Sequence, residues 1–202
     1  MRLIFVLIFF QVSYARWFSH DGNIKLLNVH NNARSEIARG KYLPPNGDAE
    51  FPMASNMLKL GWSDKLAKSS VEYAEECPTT HSSGNYGENI FKITNSVKFT
   101  DEQIAEEAVM QWFHELNMSF PSMIFHASEL QSKYGHATQL IWHSTRKLGC
   151  GVHHCNSSTI SVVCRYEPKG NMDGDSIYEP GEICNSCPEG TKCESGLCKQ
   201  QK

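Results

Sequence analysis

Eight cysteines divide this chain of 202 residues unevenly, and that division limits its fold more than any other feature. None falls between 16 and 76. Cys77, Cys150, Cys155 and Cys164 are widely spread, whereas Cys184, Cys187, Cys193 and Cys198 crowd the last 19 residues. The stretch from about 172 has few large apolar residues, and a piece that small is not held by hydrophobic burial alone. Cross-links must hold it, and the compartment decides between disulfides and zinc thiolates.

The N-terminus speaks to the compartment. Arg2 is followed by an unbroken apolar run, Leu3 to Phe10, then by Ser13 and Ala15 in a small-x-small pattern. This is the form of a secretory signal peptide spanning 1–15, with Arg16 as first residue of the mature chain. The run is about half the roughly 20 apolar residues of a membrane span, and no later segment is apolar for long enough, so no transmembrane anchor is expected. A secreted, extracellular protein meets oxidising conditions, so eight cysteines suggest four disulfides, with 105 possible pairings. Secretion also makes Asn117 and Asn156, each in an Asn-x-Ser sequon, candidates for glycosylation. Lys plus Arg total 19 against 22 for Asp plus Glu, a net charge of −3; without an overall basic excess, nucleic acid is not an expected partner.

Periodicity then orders the body, residues 16–171, ahead of the cysteine-rich tail, 172–202. Leu26, Val29, Ala33 and Ile37 predict a helix over 24–39, with Gly40 at its end and Pro44-Pro45 beyond. Leu58, Trp62, Leu66, Ala67, Val71 and Ala74 predict a second over 55–76. Thr100-Asp-Glu-Gln103 has the form of a capping box, and the stripe Ile104, Ala108, Trp112, Leu116 carries a third helix to about 116. A short helix is expected over 136–142. Strands are expected over 150–155 and 159–166, where Ile160, Val162, Cys164 and Tyr166 alternate. Helices followed by strands imply an α+β or α/β/α arrangement.

Few residues announce chemistry. The chain contains no HExxH, GxSxG or P-loop pattern. Glu115 lies beside the apolar stripe of the third helix, where a carboxylate needs a cation, a donor or a metal. His136 is the one ionisable side chain in a mostly apolar segment. His81 and Glu88 fall in a polar, glycine-bearing loop whose Gly84, Asn85 and Gly87 are ordinary turn residues. Spacing alone does not join these four.

Longer motifs do. Gly135-His-Ala-Thr-Gln-Leu-Ile-Trp142 and Val162-Val-Cys-Arg-Tyr-Glu-Pro-Lys-Gly-Asn171 resemble the two signature motifs of the CAP superfamily, which comprises cysteine-rich secretory proteins, antigen 5 and pathogenesis-related 1 proteins. His30-Asn-Asn-Ala-Arg34, Met57-Leu-Lys-Leu-Gly-Trp62 and Gly87-Glu-Asn-Ile90 add to the resemblance, in order, over about 24–171. The tail resembles the hinge of nematode venom-allergen-like (activation-associated) secreted proteins. The resemblance implies an α+β fold, a three-layer α/β/α sandwich with a small disulfide-stapled C-terminal extension. It implies a central cleft formed by His81, Glu88, Glu115 and His136. It also implies the pairings Cys77–Cys155, Cys150–Cys164, Cys184–Cys193 and Cys187–Cys198. Ala137 departs from the family, which often has an aromatic there.

Such a cleft can hold a divalent cation. His81 and His136 would be the ligands of Zn²⁺ or a similar ion, with the glutamates ligating or orienting waters. Two imidazoles make an open, modest-affinity site that weakens as they protonate. No organic cofactor and no catalytic residue are expected. The family further implies binding of small lipids, a sterol or a fatty acid. The stretch matching its sterol loop, 117–134, offers Phe120, Pro121, Met123, Ile124 and Phe125, which can line an opening or plug the core edge. Extracellular proteins are the other expected class of partner. The expected function is therefore that of a non-enzymatic binder, with a metal-dependent protease using the same cleft as the alternative.

Overall fold

The first helix begins earlier than its apolar periodicity. In this computed structural model, which describes residues 15–45, 51–94, 98–117 and 122–201, α1 spans His20–Ala38. Ser19 caps it by accepting a hydrogen bond from the Gly22 N–H, satisfying one of the first-turn donors that a helix leaves unpaired. The leader read at 1–15 lies outside the described residues except for Ala15, which pairs in β1 (Ala15–Arg16) with the body.

The segment 55–63 is not helical, although its periodicity matches a helix. It runs extended into β2 (Gly61–Trp62), and α2 (Asp64–Ala74) starts only after the Ser63 cap. Polar side chains of α1 claim its backbone. Asn31 bonds both the N–H and the C=O of Leu60, as a neighbouring strand would. Arg34, fully buried, donates six hydrogen bonds to the carbonyls of Leu58, Leu140, Trp142, His143 and Thr145. Tertiary partners here override the local pattern.

After β3 (Gly87–Thr94) come α3 (Asp101–Phe113) and a 3-10 turn, His114–Asn117. The capping box forms, with Thr100 and Gln103 bonding each other's backbone N–H. Helix α4 (Ala127–Leu140) is longer than the expected 136–142 because its first two turns are polar and mostly exposed, hence without an apolar stripe. Strand β4 (Lys147–His154) starts three residues earlier than expected and stops one short, and β5 (Thr159–Glu167) runs one residue beyond its expected end.

These strands form one sheet in the order β1-β4-β5-β3, antiparallel throughout, with β2 adding in parallel against β4. Helix α2 packs on one face against β4 and β5; α1, α3 and α4 form the other layer. The α2 contact is backbone on backbone. A side chain at Gly149 would meet the Ala67 N at 2.2 Å, and one at Gly151 the Val71 N at 2.3 Å. The chain is thus a mixed α+β, three-layer fold.

Disulfides join Cys77 to Cys155, Cys150 to Cys164, Cys184 to Cys193 and Cys187 to Cys198. The tail folds back as a hairpin, β6 (Thr191–Glu194) and β7 (Leu197–Gln200), through a turn in which Ser195 and Gly196 both take positive φ, the combination that suits tight hairpins. Of its few large apolar side chains, Ile177, Tyr178 and Leu197 are buried in the main core rather than in one of their own, while Met172 and Ile183 are exposed.

Candidate functional site

The four candidate residues come from four separate elements and meet beside the edge strand β3. Glu88 stands on β3 itself. His81 precedes it, after Cys77 has tied the end of α2 to the β4–β5 turn. Glu115 sits in the 3-10 turn after α3, and His136 on α4. The two imidazole centroids are 6.3 Å apart.

Each histidine carries its own carboxylate. His136 Nδ1 lies 2.7 Å from Glu115 Oε1, and His81 Nδ1 lies 3.2 Å from Glu88 Oε1. A carboxylate accepts, so Nδ1 is the protonated nitrogen in both neutral rings, and both Nε2 atoms keep their lone pairs. Glu115 does more than orient a ring: its Oε2 accepts from the backbone N–H of His136 at 3.1 Å and of Ala137 at 2.9 Å. Trp112 stacks on the His136 ring with centroids 6.2 Å apart and planes 20° apart. Exposure divides the set by role. The His81 and His136 side chains are 50% and 35% exposed, whereas those of Glu88 and Glu115 are 4% and 22% exposed; solvent reaches the rings, and of the carboxylates only Glu88 is buried behind its ring.

Glu88 is the more elaborately held of the two acids. Arg165, opposite it in the β3–β5 register, donates from Nε at 3.1 Å. Ser82 donates its backbone N–H at 2.9 Å and its hydroxyl at 2.6 Å. Burial pushes the Glu88 carboxyl up, but the bonds from His81, Ser82 and Arg165 outweigh burial and hold it below the usual carboxylate range. The Arg165 guanidinium is nearly buried between the Tyr73 and Tyr86 rings, 5.3 and 4.3 Å from their centroids, and also donates to the Ser69 carbonyl. Sequence reading missed Arg165, Ser82 and both tyrosines. The available signal was the alternation of β5, which sets Arg165 on the face opposite Cys164 and Tyr166.

Beneath the cleft a buried polar chain reaches α1. Asn89 donates to the His136 carbonyl and to the Tyr166 hydroxyl, and Tyr166 meets His30 Nε2 at 2.9 Å. His30 Nδ1 faces the Leu26 carbonyl, which fixes the tautomer and makes Tyr166 the donor to Nε2.

Other sequence candidates fall elsewhere. Phe120 and Pro121 lie outside the described residues. Met123 is half-buried against the core, Ile124 is exposed and bridges to Ser176, and Phe125 is fully buried with its ring edge-on to Trp142. Phe125 is therefore core, not the lining of an opening. Asn117 is half-buried, its Oδ1 accepting from the Tyr42 hydroxyl, and Asn156 is exposed in the β4–β5 turn. A cavity of about 450 Å³ lies between α1 and α3, walled by Tyr42, Leu43, Met110 and Phe113.

Among the described residues, the one set of three metal-type ligand atoms within 4.8 Å of one another is Cys184, Cys187 and Cys198, all held in disulfides. The His81, Glu88, Glu115 and His136 cluster does not bring three such atoms this close together.

The profile of the CAP family, the cysteine-rich secretory protein family, matches residues 27–166. The chain belongs to this family. Among relatives, a protein named Ancylostoma secreted protein from Ancylostoma caninum is 36% identical over 186 residues, 85% of this chain and 42% of that protein. Peptidase inhibitor 16 from Mus musculus is 30% identical over 193 residues, 91% of this chain and 35% of its own length. This CAP chain thus spans less than half the length of these relatives. Two solved structures match over nearly their whole length. NaASP2 with Zn²⁺ is 34% identical at a TM-score of 0.81, covering 91% of this chain and 97% of that one. BmVAL-1 is 30% identical at 0.82, covering 92% and 97%. The protein is a CAP protein of venom-allergen type. No helix among its described residues is long and apolar enough to cross a membrane.

Proposed function

We propose that this CAP protein is an extracellular, non-enzymatic binding protein whose cleft holds a divalent cation on His81 and His136. One observation carries the reading: two neighbouring, solvent-reachable imidazoles each turn Nδ1 to a private glutamate and keep Nε2 free to ligate. A carboxylate behind a ligating histidine fixes its tautomer and raises its basicity. The relative NaASP2, solved with Zn²⁺, supports the choice of metal. When bound, the ion supplies a charged centre with open positions, to which an anionic or carbonyl group of a partner can add. Among the described residues, the surroundings place no serine or cysteine for covalent hydrolysis. Every cysteine is in a disulfide, and the Ser82 hydroxyl beside the cleft donates to Glu88 rather than to an imidazole. Calorimetry with Zn²⁺ at neutral pH should give binding in the wild type and none in His81→Ala/His136→Ala. Equal heats from both proteins overturn the assignment.

The lipid reading has its own support in the cavity between α1 and α3. Its roughly 450 Å³ is within the range of small-molecule sites, about 300–1,000 Å³. Tyr42, Leu43, Met110 and Phe113 give it one apolar side for an acyl chain, and Glu36, Lys41, His114 and Asn117 make the remainder polar, where Lys41 can meet a fatty-acid carboxylate. Saturable binding of radiolabelled palmitate that Met110→Trp abolishes supports this; binding unchanged by that substitution removes it.

A further inference from the structure

A second site lies away from the cleft and shares no residue with it, at the seam between body and tail. Three chain segments run side by side there. Strand β7 docks on the segment before β2 through the Cys198 N–H to the Met57 carbonyl at 2.8 Å and the Lys59 N–H to the Cys198 carbonyl at 3.0 Å. Strand β2 pairs with the start of β4, Gly61 opposite Lys147. This register brings Lys59, Arg146, Lys147 and Lys199 around one concavity of about 220 Å³, with Gln200 beside them and no acidic residue in its lining. The Lys147 ammonium stands over Gly61, 3.8 Å from where a side chain would begin.

The cations are arranged as well as clustered. Glu194, on the adjoining hairpin strand, bridges Lys59 at 2.5 Å and Lys199 at 2.7 Å. Lys199 and then Lys59 pull its carboxyl down to about 2. One carboxylate thus fixes two ammonium groups and neutralises only one charge. Arg146 and Lys147 are exposed, and among the described residues neither has a carboxylate partner. Four cations face the one bridging carboxylate of Glu194, a local positive excess in a chain of net charge −3. Like charges held this close repel, and the arrangement is relieved by an external anion.

We propose that this seam pocket binds a sulfate or phosphate ester carried on a glycan. Terminal oxygens of one such group accept from several convergent donors at once, while Gln200 can meet a sugar hydroxyl. A bilayer headgroup suits the site less well: the pocket is recessed and its one apolar wall residue, Leu60, is buried, so the site offers no apolar side chain to a membrane.

The test is calorimetry of the full disulfide-bonded chain with a heparin-derived sulfated tetrasaccharide at about 150 mM salt, where weak surface attraction is screened. Wild type should bind, and the desulfated tetrasaccharide should not. Arg146→Ala/Lys147→Ala should weaken binding at least about tenfold. The charge-matched Lys65→Ala/Lys68→Ala, on the exposed face of α2, should stay within about twofold of wild type. Absence of binding, or equal losses in the two double variants, overturns the proposal. Binding to phosphatidylserine vesicles without binding to the tetrasaccharide overturns the glycan assignment.

Discussion

His30 lets acid sensitivity be worked out from one buried ring. It is fully buried, and removal from water lowers its pKa from 6.5 to about 4; the Leu26 carbonyl opposes this, and the charge of Arg34 adds to it. The unfolded chain binds a proton at His30 near pH 6.5, whereas the folded chain does so only near 4. Between those values the unfolded state binds more protons, so stability is full above 6.5, falls with acid, and stops falling below 4. At about 1.4 kcal/mol per pH unit, the whole gap is worth about 3 kcal/mol. About 2.5 kcal/mol of it should be lost between pH 7.5 and 4.5. Urea unfolding of wild type and His30→Gln at both pH values isolates the effect, because His143 and Glu88, whose pKa values are also depressed, act alike in both proteins. The variant should be less stable at pH 7.5 and should lose about 2.5 kcal/mol less than wild type on going to 4.5. Parallel losses would refute the reasoning.

Further outcomes follow from the same contacts. Arg34→Met removes a donor from five carbonyls, of which, among the described residues, only those of Trp142 and His143 also accept from a neighbouring backbone N–H outside the helices and strands, and should cost about 3 kcal/mol or more in denaturant unfolding; a cost under about 1 kcal/mol contradicts a keystone role. Gly151→Ala forces a methyl against the Val71 backbone and should destabilise by about 1–3 kcal/mol, read as a lowered melting temperature. Glu115→Gln removes the charge behind His136 and should weaken zinc binding roughly tenfold by calorimetry, with near-UV circular dichroism unchanged.

Much of the fold was legible because its signals are local. The Thr100 capping box, the β5 alternation and the stripe of α3 each depend on neighbours in sequence. What was not legible depends on distant partners. Residues 55–63 have helical periodicity yet run extended, since Asn31 and Arg34 on α1 bind their backbone. Strand β3 was hidden because Glu88, Asn89 and Lys92 make it polar, as an edge strand carrying a site can be. The cleft is the extreme case. His81, Glu88, Glu115 and His136 are joined by no spacing, and only the resemblance to a family grouped them. The β5 alternation places Arg165 on the face opposite Cys164 and Tyr166, but its role went unseen because that face names no partner until Glu88 is known to lie across the strand.

The proposed function turns on a cation resting on two imidazole nitrogens. Crystals soaked in Zn²⁺ and measured across the zinc absorption edge test that directly. An anomalous peak is expected about 2.0–2.1 Å from both His81 Nε2 and His136 Nε2, with Glu88 and Glu115 still bonded to the opposite ring nitrogens. A peak at other residues only, or a cleft without one at saturating zinc, would contradict it.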